Sequence, residues 1–127
     1  MDVITPPLDG TILPGITRAS TLELVAAHPA RTTLPGLSSD VHLHAVEREL
    51  TLPQLSAWAE EGRLLEAFTV GTAVVVAAVG RIGHNGTDIV LPSHDGALGP
   101  VARGLYQRIT EIQEGRVEWE GWSVPCA

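Results

Sequence analysis

Apolar positions recur along this chain at two spacings, near 3.6 residues in some stretches and near 2 in others, which predicts a mixed α+β fold. Residues 3–13 carry Pro6 and Pro7, with Pro14 next, so this stretch reads as extended or turn-like and its first residues as the end of a strand. A helix is expected after Pro14-Gly15, with Ala19, Leu22, Val25 and Ala26 inward and Pro29 just past its end. Residues 31–40 are rich in Thr, Pro, Gly and Ser and read as a loop. In 41–50, Val41, Leu43 and Ala45 alternate with His42 and His44, the pattern of a half-buried strand. Thr51 and Gln54 have the spacing of a capping box, and Pro53 is tolerated in a first turn. That opens a short helix with Leu55, Trp58 and Ala59 inward, stopped at Gly62. Strands are expected at 67–70 and 73–79, the second buried, with Gly71-Thr72 between them. Asn85-Gly86 predicts a hairpin joining 80–82 to 88–91. The clearest helix starts at Pro100, carries Val101, Leu105, Ile109 and Ile112 as its stripe, and stops at Gly115. Residues 119–124 are apolar and aromatic and are expected to fold back on the rest.

Composition narrows the possibilities. The 127 residues are 44% hydrophobic and 18% charged, a globular balance. A net charge of -7 with no basic run disfavours a nucleic-acid partner. No apolar run approaches the roughly 20 residues of a membrane span, so no membrane partner is expected. The start of the chain has no basic or Arg-rich amphipathic stretch and carries no recognisable address. With Cys126 its single cysteine, the chain has no internal disulfide framework, and an intracellular setting is expected. All eight basic residues are arginines. A covalent imine with a carbonyl cofactor needs a side-chain primary amine, which only lysine supplies. This chain therefore cannot tether such a cofactor through a side chain.

Two segments have candidate chemistry. In Leu13-Pro14-Gly15-Ile16-Thr17-Arg18, a glycine before a helix leaves amides facing outward at the positive end of the helix dipole, and Thr17 adds a hydroxyl. That is a small phosphate cradle, or an ordinary loop-to-helix transition. Gly71-Thr72-Ala73 brings a second hydroxyl and two amides to the same anion, or is a plain turn. The other chemistry-bearing residues have simpler readings. His42 and His44 lack a third ligand at a recognisable spacing, so no metal site is expected. Glu47 and Glu49 read as solvated, His84 as exposed and Cys126 as part of a frayed terminus. Trp58, Trp119 and Trp122 read as core or interface fillers.

Considered jointly, the segments resemble a known family. Thr5-Pro6-Pro7-Leu8-Asp9-Gly10-Thr11-Ile12-Leu13-Pro14-Gly15-Ile16-Thr17-Arg18 closely resembles a segment of the branched-chain aminotransferases, fold-type-IV pyridoxal-phosphate enzymes. The run from Glu60 through Gly71-Thr72-Ala73 resembles the stretch leading into that family's Gly-Thr-Ala turn. Pro100-Val101, Ile112-Gln113-Glu114-Gly115 and Trp122 follow its eukaryotic pattern. The matches run in order across nearly the whole chain.

The resemblance implies a twisted, partly barrel-like sheet with helices outside, residues 1–127 forming the C-terminal domain without the N-terminal domain and the lysine-bearing segment. It implies pyridoxal 5'-phosphate as cofactor and amino transfer between leucine, isoleucine or valine and 2-oxoglutarate. Branched-chain amino acids and 2-oxo acids would be its small-molecule partners, a homodimer its assembly, and cytoplasm or mitochondrion its setting. Leu13 would lie against the pyridine ring. Gly15 and the amides of Ile16 and Thr17, with the Thr17 hydroxyl, would hold the phosphate from the helix N-terminus, and Thr72 from the other side. Amides of the Thr72-Ala73 turn would meet the substrate carboxylate.

The family's Schiff-base lysine has no counterpart among these residues, so no catalytic residue is assigned and the chain is expected to be inactive alone. Val74, Val75 and Val76 stand where some members carry a Cys-x-x-Cys redox pair. A non-catalytic phosphate-binding remnant that associates with a full-length enzyme is the alternative from another class. A D-amino-acid aminotransferase or an aminodeoxychorismate lyase is the alternative within the superfamily.

Overall fold

A computed structural model describes residues 1–127 except Ser39, Ser93, Asp95, Gly96, Ala127 and the side chain of His84. Six short strands and three helices follow one another among these residues: β1 (Asp2–Thr5), α1 (Ile16–Arg31), β2 (His44–Glu47), α2 (Leu52–Glu60), β3 (Phe68–Val70), β4 (Val76–Ala78), β5 (Arg81–His84), β6 (Thr87–Val90) and α3 (Pro100–Gln113). The mixed α+β class expected from the sequence is present. The strands form three two-stranded ladders: β1–β2 parallel, β3–β4 antiparallel and β5–β6 antiparallel. None closes into a barrel among the described residues.

The core collects around α3, whose Val101, Ala102, Leu105, Ile109 and Ile112 are buried, as its stripe predicts. They pack with Leu24 and Val25 of α1, Leu34, Leu43, Val76 and Trp119. Gly104 permits this approach, since a Cβ there would lie 3.0 Å from Leu34 Cβ and 3.1 Å from the Pro35 carbonyl oxygen. His28 is fully buried: its Nδ1 accepts from Leu34 N at 3.2 Å and its Nε2 lies 3.0 Å from Ser38 O. An accepting Nδ1 leaves the ring hydrogen on Nε2, so His28 donates to Ser38 O and fixes the turn after α1.

The two helix ends marked by capping signals form as read. Thr51 and Gln54 make both hydrogen bonds of the capping box, and Gly115 follows α3 at φ 76°. Asn85 and Gly86 both take positive φ, 49° and 76°, the type I′ geometry of a two-residue hairpin. The hairpin it closes is β5–β6, offset slightly from the expected 80–82 and 88–91.

Elsewhere the structure corrects the sequence reading. Pro29 lies inside α1, not beyond it. There it leaves the Val25 carbonyl without its helical donor, and the helix ends two residues later, where Thr32 turns out in left-handed geometry. The buried face of α1 is Thr21, Leu24, Val25 and His28, while Ala19 and Ala26 are exposed. Two satisfied or enclosed polar residues stand where apolar ones were sought. The 41–50 strand shortens to His44–Glu47, and Leu55, Trp58 and Ala59 of α2 are half-buried. Residues 71–75 turn the chain from β3 into antiparallel β4, so only Val76–Ala78 is strand and Val74 is exposed. The expected buried 73–79 run fails for that reason.

The tail folds back through Trp119, which is buried, while Val124 is exposed. Arg31 lies 3.9 Å over the Trp119 ring and 2.7 Å from Glu120, and the Ser123 hydroxyl donates to Ile112 O.

Candidate functional site

The start of α1 is assembled by the loop before it. Asp9 accepts from Thr11 N at 2.9 Å and Thr11 Oγ1 at 2.5 Å, closing a small turn about Gly10, whose φ of 94° suits glycine alone. Those two bonds to the carboxylate hold the Asp9 pKa below its ordinary value, the Thr11 hydroxyl acting most strongly. Pro14 and Gly15 then lead the chain into the helix, with Gly15 N donating to Leu13 O.

Gly15 as N-cap brings no side chain, and the first helical bond runs from Ala19 N to Gly15 O at 3.1 Å. The amides of Ile16, Thr17 and Arg18 precede it and find no acceptor among the described residues. The start of α3 is filled differently. Glu66 folds over it, its two carboxylate oxygens accepting from Val101 N at 2.9 Å and Ala102 N at 3.1 Å. A Cβ at Gly99 would collide with that carboxylate. The α3 N-terminus thus carries a built-in anion, whereas the α1 N-terminus presents its amides unpaired.

The structure brings the two sequence-predicted segments together. Thr17 Oγ1 donates to Gly71 O at 3.3 Å, across 54 residues of chain. Thr72 and Ala73 follow in the exposed turn, whose base is a bond from Gly71 N to Val75 O at 3.3 Å. Because the peptide is trans, the Gly71 carbonyl that faces Thr17 sends the Thr72 N–H the opposite way. The hydroxyl of Thr17 and the amide of Thr72 therefore address two sides of one short turn. Leu13 and Ile16 flank the helix start with 84% and 86% of their surfaces exposed. A bare apolar platform lies beside unpaired amides.

Arg18 was not singled out from the sequence as a site residue, although a cation in a helix's first turn opposes the dipole and signals a partner elsewhere. Its guanidinium donates to Pro6 O at 2.9 Å and pairs with Glu47 at 2.5 Å, so Glu47 is engaged and not merely solvated. Arg18 thereby holds both the segment entering the site and β2. The other feature missed is a cleft of about 750 Å³ lined by β1, Arg18, Thr21, Leu22, Arg48, Leu55, Trp58, Arg63, Phe68 and Val101 among others. It lies beside the α1 start and includes none of Leu13, Gly15, Ile16, Thr17, Thr72 or Ala73. We place the candidate chemistry at the unpaired amides, where the dipole and hydroxyls are, and not in that cleft. His42 and His44 are exposed, and no group of three or more His, Cys, Asp or Glu gathers among the described residues.

No protein-family model matches the chain. Curated homologues are branched-chain amino-acid aminotransferases. The chain is 41% identical over 127 residues to the mitochondrial branched-chain-amino-acid aminotransferase of Saccharomyces cerevisiae, covering 99% of this chain and 30% of that protein. It is 37% identical over 125 residues to the cytosolic form of the same yeast, covering 96% and 30%. It is 33% identical over 126 residues to branched-chain-amino-acid transaminase 1 of Bacillus subtilis, covering 97% and 31%. The chain thus spans about 30% of the length of the relatives it matches.

Proposed function

We propose that this chain is the C-terminal, phosphate-gripping part of a pyridoxal-phosphate-dependent branched-chain amino-acid transaminase. The observation that carries the reading is the unpaired α1 N-terminus, bound to the Gly71-Thr72-Ala73 turn through Thr17 and flanked by exposed Leu13 and Ile16.

The phosphate end of the cofactor fits these residues. The amides of Ile16 and Thr17 donate to a dianion at the positive end of α1, as the Glu66 carboxylate receives two amides at α3. Gly15 keeps that approach open, and the hydroxyls of Thr17 and Thr72 close on the phosphate from either side. Leu13 supports the apolar ring. The amide of Thr72, turned away from Thr17, and that of Ala73 after it orient a substrate carboxylate on the turn's other side. Pyridoxal phosphate, when bound, supplies the electron-withdrawing ring through which leucine, isoleucine or valine exchanges its amino group with 2-oxoglutarate. The residues here bind and orient. None supplies a side-chain amine for the cofactor's carbonyl, because lysine is absent.

The same reading takes residues 1–127 as one C-terminal domain whose ladders belong to a larger, partly barrel-like sheet, in a homodimer of the mitochondrion or cytosol. The missing lysine also favours a second reading, a non-catalytic phosphate-binding module that associates with a full-length enzyme. In either case the isolated chain is inactive. The test is to mix it with pyridoxal phosphate, reduce with borohydride and weigh the product. We expect no side-chain adduct and no transaminase activity, with pyridoxal phosphate retained better than pyridoxal before reduction. A side-chain adduct, or equal retention of the two, overturns the assignment.

A further inference from the structure

Arg18 occupies the third position of α1, where a cation works against the helix dipole, so its own helix does not account for it. Its side chain is 12% exposed, and a single nitrogen, Nη2, donates to both Pro6 O at 2.9 Å and Glu47 Oε1 at 2.5 Å. Nε is buried and has no hydrogen-bond partner. A guanidinium kept out of water with one donor unsatisfied is held there by the groups it bridges. Both acceptors sit at one end of the β1–β2 ladder, since Thr5 and Glu47 form its last register pair and Pro6 follows Thr5.

The bridge also closes a loop. Pro6 and Arg18 are 12 residues apart, and between them lie Leu13 and the amides of Ile16 and Thr17. Among the described residues, the hydrogen bonds of residues 7–14 reach no further than Gly15: Thr11 donates to Asp9, and Gly15 N to Leu13 O. Leu8, Asp9, Thr11 and Leu13 are exposed, so packing adds little to hold the loop. Its two ends are set by Pro6 and by the start of α1, and Arg18 ties these to each other and to the ladder. Amides that grip an anion do so best when they need not reorganise as it arrives, and freeing the ends of a loop multiplies its arrangements.

Arg18 could serve an anion at this helix start by its charge or by its tether. Glu47, at 2.5 Å, carries the opposite charge and largely cancels the field of the guanidinium beyond the pair itself. We infer that Arg18 is a positioning residue of the phosphate grip, acting through Pro6 and Glu47 to hold the amides of Ile16 and Thr17 and the Leu13 platform in one fixed arrangement. This rests on the hold on pyridoxal phosphate proposed above.

Glu47 separates tether from charge, because the two give opposite signs. Isothermal titration compares pyridoxal phosphate with pyridoxal on the full chain and on Glu47→Ala, Glu47→Gln, Arg18→Gln and the double variant Arg18→Gln with Glu47→Ala. As a tether, Glu47→Ala weakens pyridoxal phosphate binding about threefold to tenfold, Glu47→Gln weakens it by less than about twofold because an acceptor is kept, and the double variant binds no more weakly than Arg18→Gln alone. As a charge, the guanidinium is unmasked when Glu47 is neutralised, and both Glu47 variants bind more tightly. Tighter binding by Glu47→Ala overturns the inference. So does unchanged affinity in a folded Glu47→Ala of lower thermal stability, the result a merely structural pair would give, and so does a double variant whose loss is the product of the two single losses. Should Arg18→Gln not fold, the two variants at half-exposed Glu47 decide. Equal affinity of the unsubstituted chain for pyridoxal phosphate and pyridoxal overturns the phosphate reading and this inference with it, whereas a phosphate preference undiminished in Glu47→Ala overturns the inference alone.

Discussion

Replacing Thr17 by valine removes one oxygen and keeps the β-branched shape that α1 already accepts at its first turn. In the structure the hydroxyl donates to Gly71 O at 3.3 Å, a long bond whose net worth is about 0.5 kcal/mol. A hydroxyl that swings to a phosphate oxygen makes a charge-assisted bond worth about 1.5–3 kcal/mol. Binding exchanges the first for the second, so the hydroxyl's net contribution is about 1–2.5 kcal/mol, and Thr17→Val should weaken pyridoxal phosphate binding roughly tenfold. Stability without ligand should fall by no more than about 0.5 kcal/mol, the worth of the lost Gly71 contact. Isothermal titration with pyridoxal phosphate and with pyridoxal reads both parts. Pyridoxal lacks the phosphate, so its weaker binding should not change. Equal affinity of the variant and the unsubstituted chain for pyridoxal phosphate, with circular dichroism showing a folded protein, would refute the reasoning. A parallel loss for pyridoxal would refute it as well.

Other residues give sharper tests of the frame around the site. Glu66→Ala frees the amides of Val101 and Ala102 at the α3 start and should destabilise the fold by about 1–2 kcal/mol in urea unfolding, Glu66→Gln by less because one acceptor is kept. Gly104→Ala should cost about 1–3 kcal/mol, since its methyl meets Leu34 Cβ and Pro35 O at 3.0–3.1 Å; a neutral substitution would show the α3–Leu34 contact to be looser than described. His28→Ala leaves Leu34 N and Ser38 O without their partner in a buried site and should lower stability by about 2–4 kcal/mol. The Asp9 carboxyl, held below its ordinary pKa by Thr11, is harder to protonate folded than unfolded. Its contribution to the loop is therefore complete above about pH 4 and is lost as pH falls through the lower folded value, which an NMR titration of the Asp9 carboxyl and the Thr11 amide should show moving together.

The sequence announced those features whose causes are local. A capping box is four residues long, and Thr51 and Gln54 fold as written. Asn-Gly needs only its own backbone preferences, so the hairpin was legible. The α3 stripe was legible because its inward residues are nearly all apolar. The α1 face was not, since its inward side includes Thr21 and His28, whose enclosure depends on Leu34 and Ser38 further along. The shortened β4 likewise depends on a reversal that the run of valines conceals. Of the site, the hydroxyls and the glycine-led helix start were readable as types, and their meeting across 54 residues was supplied by the fold. Arg18 bridging Pro6 and Glu47, and the cleft it lines, needed three elements brought together and had no local signature beyond a cation placed against a helix dipole.

Amide chemical-shift mapping on the labelled chain, titrated with pyridoxal phosphate, addresses the convergence of the two loops most directly. The amides of Ile16, Thr17, Thr72 and Ala73 should shift together with one dissociation constant, and Asp2, Ile4 and Arg48 should stay in place. Shifts confined to one of the two loops, or centred on the large cleft, would contradict a shared grip on the phosphate.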